Sequence, residues 1–431
     1  MRDKNNKQVV EGNSMSKSTK NKTNKLFKKP ELVAPAGDWA ALVTAIDSGA
    51  DSVYFGVKGL NMRNLAGNFD ALELKKIMGF LTKHKKKGYL ALNVIVLEHE
   101  LKKAEAILIK AKQAKVDGVI LWDMAVMSIA KKLKLPIHIS TQASVSNSGA
   151  FESFAKMGAK TIVLARECTI ADIKKIISKN KAKNIKCKVE AFIHGAMCIS
   201  ISGRCFLSSY TASKSANRGE CLQYCRREFK IQDVENESEY ILGTDYALSA
   251  KDLCSIDFID KLIDLGVDCF KIEGRRRAPE YVKVVTSVYR RAIDAYFTGK
   301  LTATLKKKLK EELSRVFNRG FSKGFYFGRP EKAISRGLDN THEKVFLGEV
   351  VKFFRKISVA EIRVQNKLLC KGQELLFIGK NTPASFMKVC EVQQEHAFVD
   401  TVNKGELAGI KLPFIVKPKD KVFLWRKKKE S

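Results

Sequence analysis

Three observations predict a (β/α)8 barrel followed by a small antiparallel β-barrel. Eight short apolar runs recur between residues 31 and 300, with amphipathic helical stretches between them. Several of these runs start just after a similar glycine-containing tripeptide, a weak internal repeat. From about residue 342 the pattern changes to short β-rich runs separated by Gly, Asn, Lys or Pro turns.

Residues 1–29 are polar and rich in Lys, Asn and Ser, and read as a disordered basic tail. The barrel is expected over residues 30–300, with ELVAPAG at Glu31 as its first buried strand. Asp38 stands where an N-cap belongs, and Trp39, Leu42, Val43 and Ile46 share one helical face. Gly49-Ala50-Asp51 leads into SVYFG, Val116-Asp117-Gly118 into VILWD, Gly158-Ala159-Lys160 into TIVLAR, and Gly266-Val267-Asp268 into CFKIEG. At each, a helix stops, often at a glycine suited to the left-handed C-cap, and a strand begins. With YLALNVI, IHISTQA and KCKVEAFI, strands are expected near residues 31, 52, 89, 118, 137, 161, 186 and 269. Pro279 suits the first turn of the eighth helix. Residues 301–341 read as a helical and loop connector, and residues 342–431 as a β-barrel of six or seven strands.

The densest chemistry lies in an insertion after strand seven, residues 195–230. Cys198, Cys205, Cys221 and Cys225 fall there, where random scatter of ten cysteines would place fewer than one. Arg204, Arg218, Arg226 and Arg227 interleave with them, and neighbouring cations favour the thiolate that binds metal or attacks electrophiles. Free cysteine is also a common small buried hydrophobe. That reading suits Cys187 and Cys269 on apolar strands better than Cys221 and Cys225 beside a polar loop. Zinc sites favour two close cysteine pairs, and only Cys221/Cys225 is one, whereas iron–sulfur clusters take four cysteines at longer spacings. Spacing leaves both open.

In such barrels chemistry gathers at the C-terminal strand ends. Asn93, Asp123, Thr141, Gln142, Arg166, His194, Lys271, Glu273 and Arg275 collect there. Glu190 and His194 are the candidates for proton transfer. Each has a structural alternative: Glu190 as the ion-pair partner of Lys271, and His194 as a group that orients its loop. Arg166, Arg204, Lys271, Glu273 and Arg275 are the candidate substrate-binding residues.

The formal net charge of +33 favours a polyanionic partner, nucleic acid first. No apolar run approaches the roughly 18 residues of a membrane helix, and the N-terminus lacks the apolar core of a signal peptide. Ten cysteines without an export signal then point to a reducing, cytoplasmic setting. The sequence contains no His-Glu-x-x-His helix, no Gly-x-Ser-x-Gly elbow, no Walker loop and no dinucleotide fingerprint. A Cys–His hydrolase stays open through His194 and Cys198, although no orienting carboxylate or oxyanion hole is evident.

GAMCISISGRCFLSSYTASKSANRGECLQYC, with ELVAPAGDW, GADSVYFG and FKIEGRRRAPEYV, resembles the collagenase-like peptidase superfamily from about Glu31 to the end. Related members are oxygen-independent hydroxylases of tRNA, rRNA and quinones. The C-terminal β-barrel and NRGFSKGF point to the branch similar to bacterial tRNA 5-hydroxyuridine modification proteins. The resemblance implies hydroxylation of the tRNA wobble uridine, with prephenate as co-substrate. It also implies a [4Fe–4S] cluster on Cys198, Cys205, Cys221 and Cys225, with Cys254 as the alternate fourth ligand. A peptidase, and a non-catalytic RNA-binding module with a structural metal, are the other readings.

Overall fold

The structure is a computed structural model that describes residues 28–229, 231–232, 235, 239–240, 248–330, 334–335 and 337–428. The expected disordered tail therefore lies, except for Lys28 and Lys29, outside the described residues. Eight strands form the barrel: β1 (Glu31–Ala36), β2 (Ser52–Gly56), β3 (Lys87–Ala91), β4 (Gly118–Leu121), β5 (Ile137–Ile139), β6 (Ala159–Val163), β7 (Lys188–Gly195) and β8 (Cys269–Ile272). Each pairs in parallel with the next, and β8 closes on β1 from Glu31↔Cys269 to Val33↔Lys271. All eight expected strands are present, and the (β/α)8 class holds.

The strands are apolar on both faces because helices cover the outside and side chains fill the inside. Val33, Tyr54, Tyr89, Ala91, Ile120 and Cys269 form one buried inner group. Leu32, Phe55, Leu90 and Val119 join the outer core beneath the helices. Those helices are α1 (Trp39–Asp47), α2 (Leu74–Lys83), α3 (Leu101–Gln113), α4 (Met124–Lys132), α5 (Ser148–Lys156), α6 (Ile170–Ala182), α7 (Ile259–Asp264) and α8 (Pro279–Phe297). Polar side chains fix several starts. Asp38 accepts from the Ala41 N–H at 2.8 Å, and Asn147 from that of Ala150 at 2.9 Å. Asp123 accepts from Ala125 and Val126, so this mouth residue is the cap of α4. Such a cap contributes about 1 kcal/mol.

The β7–β8 ladder carries the irregularity that matters most. Glu190 faces Cys269 and Phe192 faces Lys271, but Ile272 faces His194, so Ile193 is an extra residue. Strict alternation would send Glu190, Phe192 and His194 into the barrel alike. One inserted residue flips everything beyond it. His194 therefore points outward, its Nδ1 3.3 Å from the Tyr289 hydroxyl on α8 and its ring against Tyr281 and Phe321.

Beyond α9 (Ala303–Ser314), the chain forms a curled antiparallel sheet. Its strand order is Ser385–Lys388, Glu374–Ile378, Lys421–Lys427, His342–Phe354, Val359–Val364, Leu407–Lys411, Val392–Gln394, Ala397–Val399. Eight strands share it rather than six or seven, because FMKVCEV divides into two of them. Past Asp400, Thr401–Val402 leaves this sheet to pair with Leu369–Cys370. The sheet docks on the barrel: Leu376, Ala384 and Trp425 belong to the barrel's core, and the Ala384 N–H donates to Thr44 Oγ1 at 2.9 Å. Among the described residues, no helix is long and apolar enough to cross a membrane.

Candidate active site

The C-terminal strand ends and the insertion enclose a cavity of ≈ 150 Å³. Tyr54 of β2, Phe192 of β7 and Lys271 of β8 are among its lining residues. The Lys271 ammonium lies 4.5 Å from the centre of the Tyr54 ring and 5.8 Å from that of Phe192. It pairs at 2.6 Å with Glu190, whose side chain is 1% exposed and does not line the cavity. A buried charge needs such a partner, so Glu190 supports the cationic group above it.

Arginines dominate one wall. Glu273, just past β8, accepts from Arg63 at 3.0 Å and from Arg166 at 3.1 Å. Burial pushes the Glu273 carboxyl up, but Arg63, Arg166 and Arg275 outweigh it and bring it to about 2. The neighbouring Arg275 has a neutral partner instead, Asn61 Oδ1 at 3.0 Å. Burial and the charge of Arg63 lower Arg275 to about 10, so it stays protonated at neutral pH. Arg276, Arg277 and Arg226 also line the cavity, where Glu273 is the sole lining carboxylate among the described residues. The surplus of positive charge suits an anionic ligand. Neutral hydrogen-bonding groups lie elsewhere on the lining. Asn93 Nδ2 donates to Ser140 Oγ at 3.1 Å and to Gln142 Oε1 at 3.2 Å.

Cys198, Cys205, Cys221 and Cys225 all line this cavity as free thiols. Cys198 Sγ accepts from the Ser200 N–H at 3.4 Å, and Cys205 Sγ from the Leu207 N–H at 3.3 Å. Burial raises the Cys225 thiol, Arg226 opposes this, and the charges of Cys198, Cys221 and Cys205 raise it further. The four sulfurs are thus electrostatic neighbours. Among the described residues, no three His, Cys, Asp or Glu side chains converge on one metal-ion position.

Contacts within the insertion and with the barrel hold it in place. Arg226 donates to the carbonyls of Met197 and Ala250 and to Ser249 Oγ. Arg218 pairs with Glu100 at 2.8 Å and donates to the Ile95 carbonyl at 3.0 Å. Gly219 has φ +86°, and a Cβ there would lie 2.1 Å from the Asn61 carbonyl oxygen. Only glycine permits this approach.

Cys198, Cys205, Cys221, Cys225, Arg166, Lys271, Glu273 and Arg275 therefore meet at one cavity. Other residues nominated from sequence do not. His194 lies behind the wall because of the β7 bulge, and burial, with Arg277 adding, lowers its imidazole to about 3. It is neutral at pH 7. Cys254 is buried on the same side, 3.8 Å from the Tyr289 hydroxyl, and burial pushes its thiol up to about 11. Arg204 lies in a side groove with Trp122, Met124 and Phe154, donating to Ser144 Oγ at 3.0 Å. Arg63, Tyr54 and Phe192 escaped the sequence reading. The Gly- and Asn-rich loop GLNMRNLAGN after β2 was the available signal for Arg63, since it falls at the mouth.

The family model for peptidase family U32 matches residues 37–336. The chain is 41% identical over 400 residues to an uncharacterized protease of Methanocaldococcus jannaschii, covering 91% of this chain and 98% of the relative. It is 36% identical over 409 residues to a collagenase of Porphyromonas gingivalis, covering 93% and 99%. It is 32% identical over 364 residues to tRNA hydroxylation protein P1 of Bacillus subtilis, covering 82% and 84%. With its barrel matched by the family model and 82% or more of its length by each of these relatives, the chain belongs to peptidase family U32.

Proposed function

We propose that this protein hydroxylates RNA, making 5-hydroxyuridine at the wobble position of tRNA, with a [4Fe–4S] cluster on Cys198, Cys205, Cys221 and Cys225. The observation that carries the reading is one cavity lined by four thiols on one side and a surplus of guanidinium groups on the other. The relative named for tRNA hydroxylation supports the substrate class.

The donor set fits such a cluster. Four cysteines line one space, and two of their sulfurs accept backbone N–H groups, as cluster-holding thiolates would. Four cysteine thiolates are the ligand set that a four-iron cluster would take. When bound, it supplies electron transfer that side chains lack. The chain's own groups do the rest. Tyr54 and Phe192, whose rings already carry Lys271 and Arg166, wall the space an extruded base would enter, an entry that is cheap where the base is already unpaired. Asn93 and Ser140 hold the Gln142 side chain through its Oε1, which turns its Nε2 into the amide donor available to a uracil carbonyl. Lys271, held by Glu190, donates to a base carbonyl.

Replacing C5–H by C5–OH adds an oxygen and removes two electrons from the ring, so the reaction needs an oxygen donor and a two-electron acceptor. Prephenate, a hydroxylated dicarboxylate, matches the positive charge of Arg275 and Arg276. His194, facing α8, takes no part.

The names of two more similar relatives favour a second reading, a peptidase. It would need a base beside a nucleophile. No histidine lines the cavity among the described residues.

One experiment separates them. Cells lacking the protein should contain tRNA whose wobble uridine lacks the added oxygen in nucleoside mass spectra. The wild-type gene should restore it and Cys198→Ser should not, while anaerobically purified protein should carry iron and sulfide. Unchanged wobble uridine, together with peptide cleavage by iron-free protein, would establish the peptidase instead.

A further inference from the structure

We propose that Phe206 and Tyr210, on the rim of the cavity, form a stacking platform for the unpaired nucleotides next to the base held inside. The proposal rests on the RNA reading above and deepens it by naming what the enzyme grips outside the pocket.

The insertion exposes apolar surface that a folded chain normally hides. Tyr210 is 86% exposed, Ile201 65% and Phe206 61%. Apolar groups gathered beside a cavity mark an interaction surface. Phe206 and Tyr210 flank and ride the short helix Leu207–Ala212, four residues apart, and so share a face. Their ring centres are 6.0 Å apart with planes inclined at 37°. Cys205, Leu207 and Ser208, interleaved with them, line the cavity. The platform therefore starts where the cavity ends.

Its backbone is pinned, so the rings are presented rather than loose. Asn217 Oδ1 accepts from the Cys205 N–H at 3.0 Å, and Ser208 Oγ accepts from the Leu222 N–H at 3.1 Å. A preorganised ring loses little entropy on stacking.

Charge decides the occupant. Arg204, Lys214 and Arg227 are exposed on the same insertion. Arg227 already shows the mode of contact, its guanidinium 4.0 Å from the centre of the Tyr224 ring. Open aromatic faces among cations match single-stranded nucleic acid, with bases on rings and phosphates on cations. A duplex offers no free base faces, so the occupant is a loop.

The test uses the full-length protein and two labelled RNAs of equal length, a hairpin with uridine in its unpaired loop and a blunt duplex, followed by anisotropy. Tyr210→Ala should weaken hairpin binding about 5- to 150-fold, and the Phe206→Ala/Tyr210→Ala pair about 30-fold or more, as expected for one and two lost stacks. Duplex binding and the salt dependence of hairpin binding should not change, because no phosphate contact is removed. Tyr210→Trp should keep the affinity, and its added indole fluorescence should be quenched by the hairpin. Wild-type binding of the hairpin with the double variant within two-fold overturns the platform and leaves the RNA reading standing. No hairpin binding by the wild type overturns both. A double variant impaired in peptide cleavage but unaltered toward RNA assigns the rings to a peptide instead.

Discussion

Replacing Glu190 by Gln should cost the barrel about 3 kcal/mol, because it leaves the Lys271 ammonium buried without its counter-ion. The pair is 2.6 Å apart, with side chains 1% and 4% exposed. At an effective dielectric of about 20, that separation corresponds to roughly 6 kcal/mol of gross attraction. Desolvation consumes most of it, so the intact pair adds little net stability. Removing one partner keeps the desolvation cost of the other and forfeits the attraction, typically about 3–5 kcal/mol. The Tyr54 ring 4.5 Å from the ammonium offers partial relief, which places the expectation at the low end. Lys271→Met should cost a similar amount for the mirror-image reason. The double variant Glu190→Gln/Lys271→Met removes both charges and should recover to within about 1–2 kcal/mol of wild type. Urea unfolding of all four proteins, followed by circular dichroism, gives the coupling energy of the cycle. Single-variant losses below about 1 kcal/mol, or additive losses in the double variant, would refute the reasoning. Lys271 would then be hydrated from the cavity and not dependent on Glu190.

Glu273 makes a prediction about acid. Its carboxyl is lowered from 4.5 to about 2, so between those values the unfolded chain binds a proton that the native chain does not. Its contribution, about 3 kcal/mol, should be complete above pH 4.5 and lost as pH falls toward 2. Glu273→Gln should flatten the slope of stability against pH in that window, and an unchanged slope counts against the Arg63–Glu273–Arg166 arrangement. Gly219→Ala should strain the docked insertion by about 1–3 kcal/mol, since φ is +86° and the added methyl meets the Asn61 carbonyl. Limited proteolysis should cut faster within residues 196–229 while the unfolding midpoint of the barrel holds. Equal cutting rates would mean that the Gly219 contact does not set the docking.

The barrel was legible because its cues are local. Strand-length apolar runs, a glycine just past four of the helices (Gly49, Gly158, Gly266 and Gly299) and caps such as Asp38 lie within a few residues of what they specify. The mouth was legible only where strand alternation continues unbroken, as at Lys271 and Glu273. It failed at His194, because the extra residue at Ile193 carries no glycine or proline to announce a bulge. Arg63 was missed for another reason. Its partner Glu273 is 210 residues away, and no periodicity relates the two. Cys254 was a reasonable substitute ligand by type, yet strand pairing with β7 at Cys254↔His194 puts it on the far side of the wall. In the C-terminal sheet the number of strands depends on where a ladder changes partner, as beyond Asp400, and composition does not mark that point.

The four thiols and the arginine wall come from separate parts of the chain, yet they are mechanically one site. Arg276, from the stretch after β8, donates to the Cys221 carbonyl at 3.1 Å. Arg63 is held charged first by Glu273, and Cys221 adds to that. Gly219, two residues before Cys221, rests on Asn61, which is also the partner of Arg275. A shift of the β2–α2 loop would therefore move Cys221 and the Arg275 guanidinium together. A purely structural metal would not require that link, since its ligands could close on themselves as in a small metal-stabilised module. The shared Asn61 contact ties the insertion to the arginine wall at the boundary between the two halves, where the cavity lies.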